Sequence, residues 1–282
     1  MDLVVPLAGR TFRLQALPPA ARDATERGTD ADIPERVREL ADEALQRGET
    51  HYTDRPGIMP LRQQVAAWLG RRFGIEVDAG SGVVITCGGT EARFVAVQQL
   101  LPTGGTLVAL SNPERVAGAC IVRDVTLAGP EASLTGTPDG SVAGPGAGSG
   151  AGSEAGSAAG SAAGSVAGLA EGSEAGAVAI YLDGTTPKAT ADRWLTRAAV
   201  NGWPVVFEAG FGGPHPAASG LADLTITIGS LGLEQGLAAW RVGYLAAPAA
   251  KAGPLRDFKQ ALTLCTTNVS QWGALGLEER GS

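Results

Sequence analysis

Two stretches near the start of the chain carry apolar residues at helical spacing. The first is IPERVRELADEALQRG at 33–48, and the second is PLRQQVAAWLGRRFG at 60–74. Their apolar stripes consist of Val37, Leu40, Ala41 and Leu45 in the first stretch and of Leu61, Val65, Trp68 and Leu69 in the second. Both stretches are therefore predicted to form amphipathic helices with one buried face.

Short, continuously apolar runs come next, and such runs are typical of strands buried in a parallel sheet. They lie at 83–86, 106–110, 177–183, 204–208, 224–230 and 242–248. Helical sequence, EARFVAVQQLL and ADRWLTRAAVNG, follows the first and the third run. This alternation predicts a three-layer α/β fold with a doubly wound, mostly parallel sheet. Ligands of such folds bind where the carboxyl ends of the strands meet, so we expect the functional site there.

Between about residues 136 and 176 the chain consists almost entirely of Gly, Ala and Ser. A segment of this composition has too few large apolar side chains to build a core of its own. We expect a disordered surface insertion, with a silk-like stacked structure as the alternative. Because strand-like runs lie on both sides of it, residues 1–282 are expected to form one domain that this insertion interrupts.

The formal net charge is −7, and no block of basic residues is present that would follow a nucleic-acid backbone. The sequence also lacks a run of about 18 apolar residues and the basic-then-apolar order of a secretory signal. We therefore expect a cytoplasmic protein that contacts neither nucleic acid nor membrane. Cys87, Cys120 and Cys265 are too widely spaced for a metal clip and are expected to be reduced core thiols. Two histidines are too few for a His-rich zinc site.

Three segments together carry the pattern of a known family. In ETHYTDRPGIMPLRQQVAAWL a tyrosine precedes a Gly-x-x-x-Leu-Arg entry to a helix, and VVITCGGTEARF joins a strand to a helix through glycines. In the third segment, TITIGSLGLEQGLAAWRVGYLAAP, a serine and a short glycine-containing loop come before Trp-Arg-Val-Gly-Tyr. The chain closely resembles the class I/II aminotransferases of fold type I, which depend on pyridoxal phosphate. The resemblance extends over nearly all of the chain and implies the large, cofactor-binding domain of that family.

The resemblance implies a set of phosphate-binding residues. Gly89 and Thr90 fall at the N-terminus of a helix, where backbone N–H groups and the helix dipole favour an anion. Ser230 matches the phosphate-binding serine of the family, and Arg241 matches the arginine that clamps the phosphate. Tyr52 matches a tyrosine that reaches the phosphate of the neighbouring subunit, which implies a homodimer. A glycine before a helix also occurs for packing alone, so the glycine turn does not establish a site by itself.

Other family positions carry different residues in this chain. Counted without gaps from both ends of its segment, the lysine that holds the cofactor covalently is Leu233. The asparagine that bonds the 3-oxygen of the cofactor is Thr186, the aspartate that keeps the pyridine nitrogen protonated is Glu208, and the tyrosine three residues later is Phe211. Leucine has no amine, so the resemblance implies the loss of ordinary transamination. Arg115 stands where the family places an aromatic residue over the ring, and we interpret it as a solvated loop charge, with a stacked guanidinium as the alternative.

The family continues into a small C-terminal domain that binds the substrate carboxylate, and we expect that domain to be missing. Three hypotheses follow. The first is a degenerate aminotransferase-like protein that binds pyridoxal phosphate or a related phosphorylated ligand noncovalently. The second is an active enzyme that uses Lys188, two residues after Thr186, as a relocated amine, or that shares its site with a partner chain. The third is a noncatalytic interaction subunit, with a partner chain in place of the small domain.

Overall fold

The computed structural model describes residues 3–7, 10–14, 32–132 and 176–277. The predicted disordered insertion falls outside these ranges, except for its last residue, Gly176. Near the N-terminus, β1 (Leu3–Leu7) and β2 (Arg10–Leu14) pair antiparallel as a two-stranded sheet. The hydrophobic pattern did not predict this hairpin.

A seven-stranded sheet lies at the centre of the fold, in the order β3-β9-β8-β7-β6-β4-β5. Its strands are β3 (Val83–Thr86), β4 (Thr106–Ala109), β5 (Thr126–Ala128), β6 (Val178–Asp183), β7 (Val205–Glu208), β8 (Thr225–Ser230) and β9 (Gly243–Ala246). β9 is antiparallel to both of its neighbours, and the other pairs of neighbouring strands are parallel. The mostly parallel sheet is confirmed, but the prediction of a parallel strand at 242–248 was wrong. A continuous apolar run marks a strand that is covered on both faces and does not fix its direction.

Helices cover both faces of the sheet and complete the three predicted layers. They are α1 (Glu35–Gln46), α2 (Met59–Phe73), α3 (Gly88–Leu100), α4 (Glu114–Cys120), α5 (Lys188–Asn201), α6 (Ala249–Thr263) and α7 (Asn268–Ala274). On one face, residues of α3, α4 and α6 pack against strand residues such as Val84 and Ile228. On the other face, α2 packs on Ile85 and its neighbours, and α5 packs on Ile180 and Phe207. Neighbouring strand residues thus contact opposite layers, as the two-residue period of a strand requires.

The apolar stripe of α1 differs in one position from the prediction. Val37 and Ala41 are buried as expected, but Ala44 takes the next buried position, and Leu45 is 51% exposed. Among the cysteines, Cys120 is buried, whereas Cys87 and Cys265 are only half-buried, and all three are reduced. Within the described ranges no helix has both the length and the apolar character needed to cross a bilayer.

The sheet brings the ends of its parallel strands to one edge. Asp183 and Glu208 are register partners at the ends of β6 and β7, and Ser230 ends β8. α3 starts two residues after β3 ends, so its N-terminus lies at the same edge. This edge is where the predicted site residues are expected to meet.

Candidate functional site

One end of the site is formed by the N-terminus of α3 and the residues opposite it. The Gly89 N–H donates a hydrogen bond of 3.0 Å to Ser230 Oγ on β8. The Arg241 guanidinium lies over Gly88, because a Cβ built there would come within 3.2 Å of Arg241 Cζ and 3.4 Å of both terminal nitrogens. We call Gly88, Gly89, Ser230 and Arg241 the phosphate cup. Amide, hydroxyl and guanidinium groups that meet at a helix N-terminus suit a phosphate.

Close backbone approach explains why glycines line this end. Gly88 has φ +77°, a left-handed conformation that glycine adopts without a steric penalty. A Cβ on Gly243 of β9 would come within 2.5 Å of the carbonyl carbon of Gly88, so a side chain there would displace the turn. Arg241 itself has φ +53°, which is uncommon for a residue other than glycine. The cup therefore depends on a local backbone that a random substitution would disturb.

The other end of the site centres on the buried Glu208 carboxylate. Arg93 Nη1 donates to Oε1 at 2.8 Å, and Arg115 Nη2 donates to the same oxygen at 2.6 Å. The Tyr181 hydroxyl donates to Oε2 at 2.6 Å, and Arg115 Nε lies 3.4 Å from that oxygen. We call these four residues the Glu208 cluster. The side chains of Arg93, Arg115 and Glu208 are at most 6% exposed, so these are buried, charge-assisted contacts.

The electrostatics of the cluster keep Tyr181 protonated. Burial and the adjacent Glu208 carboxylate both raise the pKa of the Tyr181 hydroxyl above its ordinary value of 10.0. The two arginines oppose this change, but they do not reverse it. Tyr181 is therefore a fixed hydrogen-bond donor to Glu208 and does not act as a base.

Arg93 connects the two ends. A Cβ built on Gly89 would lie 3.6 Å from Arg93 Nη1, and Arg93 Nη2 donates to Thr90 Oγ1 at 3.4 Å. The same guanidinium binds Glu208. A phosphate in the cup would thus lie next to a residue that also holds the Glu208 carboxylate, and the two ends form one continuous site.

A polar network at the end of β6 borders this site. The buried Asp183 carboxylate accepts from Asn112 Nδ2 at 2.8 Å and from the backbone N–H and hydroxyl of Thr185 at 2.9 and 2.6 Å. The Thr186 hydroxyl donates to Ser111 Oγ at 2.9 Å, and the Asp183 N–H lies 3.4 Å from Thr186 Oγ1. Thr186 thus helps to fix the β6 end to the loop that follows β4.

The structure brings together only part of the predicted set. Gly89, Ser230 and Arg241 meet in the cup, Thr90 adjoins it, and Arg93 links it to Glu208. Leu233 begins a short 3₁₀ turn beyond β8 and is half-buried. Phe211 ends the 3₁₀ turn after β7, and its side chain lies outside the described part of the chain.

Two predicted groups lie on the surface. Tyr52 is 82% exposed and makes none of the contacts of the cup. Lys188, at the start of α5, has a side chain that is 82% exposed and pairs with Asp192 at 2.6 Å. Because solvent surrounds its amine, Lys188 lacks the desolvation on which its proposed reactivity depends.

The sequence interpretation of Arg115 was wrong, and Arg93 and Tyr181 were missed. Arg115 is not a solvated loop charge, because its side chain is 6% exposed and its guanidinium binds Glu208. Arg93 gave a usable signal, since it is the one basic residue in the otherwise largely apolar helix EARFVAVQQLL. A charge inside an apolar helix pattern usually indicates a buried partner. Tyr181 carries no such signal, because a tyrosine is common in any buried strand.

The described residues contain no group of three or more His, Cys, Asp and Glu side chains that could hold a metal ion. The site offers guanidinium, hydroxyl, carboxylate and backbone N–H groups. These groups bind and orient an anion. Among the side chains described above, none combines a nucleophilic amine with a position inside the site.

Comparison with known proteins finds similarity to aminotransferases. Residues 23–114 match the model of the family aminotransferase class I and II. The arginine–pyruvate transaminase of Pseudomonas aeruginosa is 30% identical over 250 residues, which cover 84% of this chain and 57% of that protein. A probable aspartate/prephenate aminotransferase of Thermus aquaticus is 26% identical over 87% of this chain and 61% of its own length. The chain therefore spans less than two thirds of these relatives.

Solved structures show the same fold. A methionine aminotransferase of Escherichia coli superimposes with a TM-score of 0.66 at 18% identity, over 90% of this chain and 65% of that one. The N-succinyldiaminopimelate aminotransferase of Mycobacterium tuberculosis gives 0.65 at 20% identity, over 88% and 64%. The chain is similar in sequence to class I and II aminotransferases, and it has the fold of their large domain.

Proposed function

We propose that this protein binds pyridoxal phosphate or a related phosphorylated ligand noncovalently and does not catalyse ordinary transamination. The observation that carries the proposal is the phosphate cup, in which an α3 amide, the Ser230 hydroxyl and the Arg241 guanidinium converge. All three positions are those that the family resemblance assigns to the cofactor phosphate. The lysine position of that resemblance is Leu233, whose side chain has no amine to bond a cofactor.

The residues of the site fit one end of pyridoxal phosphate and not the other. The glycine turn and Arg241 supply donors for a phosphate. At the far end, the Glu208 carboxylate already accepts hydrogen bonds from two arginines and a tyrosine. When bound to an enzyme with a lysine amine, pyridoxal phosphate stabilises negative charge on substrate carbon, and that chemistry relies on its ring. Here, only the phosphate has matching partners.

Lysine placement supports noncovalent binding. The chain has three lysines, of which Lys188 is on the surface and ion-paired. Lys259 is fully buried in α6, and the ionisable groups that influence its amine are Glu91, Cys87 and Cys265. Lys251 lies near the start of α6, where the nearby charge is Asp223. Lys188 therefore lacks the buried setting that a relocated catalytic amine would need.

A pair of ligands, one with and one without a phosphate, separates phosphate recognition from recognition of the ring. In calorimetric titrations, pyridoxal phosphate should bind with a saturable isotherm, and pyridoxal, which lacks the phosphate, should bind at least about 100-fold more weakly. A loss of that size corresponds to about 2.7 kcal/mol, which is within reach of two or three charge-assisted hydrogen bonds. Equal affinity for the two compounds, or no binding of pyridoxal phosphate, would overturn the proposal.

A homodimer in which Tyr52 serves the neighbouring cup is part of the same proposal. Tyr52 is 82% exposed, so its side chain is accessible to a neighbouring subunit. Sedimentation equilibrium should show a dimer. Tyr52→Phe removes only the hydroxyl, so it should leave the dimer intact and weaken phosphate binding several-fold. A monomer, or a dimer whose phosphate affinity is unchanged by Tyr52→Phe, would refute the contribution from the neighbour.

A further inference from the structure

We infer that the Glu208 cluster selects the class of ligand: the site takes phosphate monoesters whose far end is neutral or anionic, pyridoxal phosphate in its form with an unprotonated ring nitrogen among them, and it rejects those with a cationic nitrogen there. This inference rests on the proposed phosphate binding and adds the specificity at the other end. It departs from the resemblance, in which the residue at 208 holds a protonated pyridine nitrogen.

The first observation is the saturation of the Glu208 carboxylate. Its two oxygens have about four lone-pair sites in all. Arg93 Nη1 and Arg115 Nη2 contact Oε1 at 2.8 and 2.6 Å, and Tyr181 Oη and Arg115 Nε contact Oε2 at 2.6 and 3.4 Å. A pyridinium N–H would have to displace one of these donors. Each carboxylate oxygen already has two donor atoms within 3.4 Å.

The second observation is the charge that surrounds the carboxylate. Two guanidinium groups lie within hydrogen-bond distance of Glu208, and all three side chains are at most 6% exposed. Solvent screens charges weakly in such a place, so a cation brought next to Arg93 and Arg115 meets like charges at short range. A neutral ring avoids this repulsion. A hydroxyl or a carboxylate avoids it too and can accept hydrogen bonds from the same arginines.

The third observation is the continuity between the cup and the cluster. Arg93 borders the Gly89 position and contacts Thr90 with one nitrogen, while its other terminal nitrogen binds Glu208. A small ligand anchored by its phosphate in the cup therefore extends towards Arg93 and Glu208. Any charge at the far end of such a ligand then interacts with the two arginines of the cluster.

The test uses two synthetic phosphate monoesters of the same shape. One is N-methylated pyridoxal phosphate, which carries a fixed positive charge. The other is its neutral carbocyclic counterpart, with a C–CH₃ group in place of N⁺–CH₃. Calorimetry on the full chain should show that the neutral compound binds at least tenfold more tightly than the cation. Arg115→Met removes one guanidinium and should narrow that ratio, because part of the repulsion is lost.

The outcomes separate this inference from the proposed function. Equal affinity for the two compounds, or tighter binding of the cation, would overturn the selectivity and leave phosphate binding in place. A ratio that Arg115→Met does not change would show that the cluster is not its cause. If neither compound, pyridoxal phosphate nor inorganic phosphate binds, the proposed function fails and the inference fails with it.

Discussion

The two ends of the site differ in how their polar groups are used. At the phosphate cup, Arg241 is exposed and lies over a glycine, where an incoming anion can reach it. At the Glu208 cluster, the arginines are buried and already bound to a carboxylate. Arg241 is therefore accessible to a ligand, whereas the arginines of the Glu208 cluster are engaged in contacts within the protein.

This difference teaches that phosphate binding and ring chemistry place separate demands on a site. Phosphate binding needs only donors at fixed positions, which the turn before α3 supplies. Covalent catalysis on a pyridine ring needs a lysine amine and a carboxylate with room for the ring nitrogen. Under the proposed function, Leu233 stands in place of the first, and the carboxylate of Glu208 already accepts hydrogen bonds from Arg93 and Arg115. Stability and binding should therefore respond differently to changes at the two ends.

The largest effect on stability is expected from Glu208→Gln. Removal of one member of a buried ion-pair network commonly costs about 3–5 kcal/mol, because it leaves the partner charges uncompensated. Arg93 and Arg115 would be left side by side in a poorly solvated place. Chemical denaturation should show this loss. The matched control is Glu131→Gln, in a pair of exposed side chains 3.8 Å apart, which should cost less than about 1 kcal/mol. Equal losses of unfolding free energy in the two variants would contradict the structural importance of the buried Glu208 cluster.

Arg241→Gln should act in the opposite way, with a large effect on ligand affinity and a small one on folding. Loss of a charge-assisted contact to phosphate is worth about 1.5–3 kcal/mol, or roughly a tenfold to hundredfold rise in Kd for pyridoxal phosphate. Arg256→Gln is the control, since Arg256 lies on α6 and pairs only with its neighbour Asp257 among the contacts described. An Arg241 variant with unchanged affinity for pyridoxal phosphate would show that the guanidinium does not bind the phosphate.

A smaller effect, on stability alone, is expected from a substitution of Lys259. Its amine is fully buried and has no hydrogen-bond partner among the described residues. Burial lowers the pKa of Lys259 from 10.5, and the Glu91 carboxylate opposes that change only in part. Between the lowered value and 10.5 the unfolded chain holds a proton that the folded chain lacks. The free energy of unfolding therefore rises with pH across that window and falls as the pH decreases through it.

Lys259→Met should remove this penalty. The variant is expected to be more stable at neutral pH by on the order of 1 kcal/mol, and its stability should depend less on pH in the alkaline range. Thermal unfolding followed at several pH values would measure both changes. A destabilised methionine variant would show that the amine makes a favourable contact in the folded protein.

The sequence predicted the sheet well because its strands are buried on both faces. Continuous apolar runs identify such strands, and six of the seven were found in this way. The seventh, β5, has only three residues, too few for a recognisable pattern. The antiparallel direction of β9 could not be predicted from the sequence either, because its residues are as buried as those of a parallel strand.

The site was predictable only where local sequence controls it. The turn at Gly88 and Gly89 is local, and Arg241 follows β8 within a recognisable segment. The contacts of Glu208 instead join residues 27, 93 and 115 positions apart, which no short pattern reveals. Arg115 shows the limit most directly: it directly follows the polar sequence Ser-Asn-Pro-Glu, in the first turn of α4, yet its side chain is buried against Glu208.

Noncovalent binding is tested most directly by reduction with borohydride after incubation with pyridoxal phosphate, followed by mass spectrometry of the intact protein and its peptides. Wild type and Leu233→Lys are compared at a ligand concentration at which calorimetry shows the site to be filled. We expect no site-specific adduct in wild type and an adduct at position 233 in the lysine variant, because the cup would hold the cofactor beside the new amine. A specific adduct on Lys188, Lys251 or Lys259 in wild type would contradict noncovalent binding.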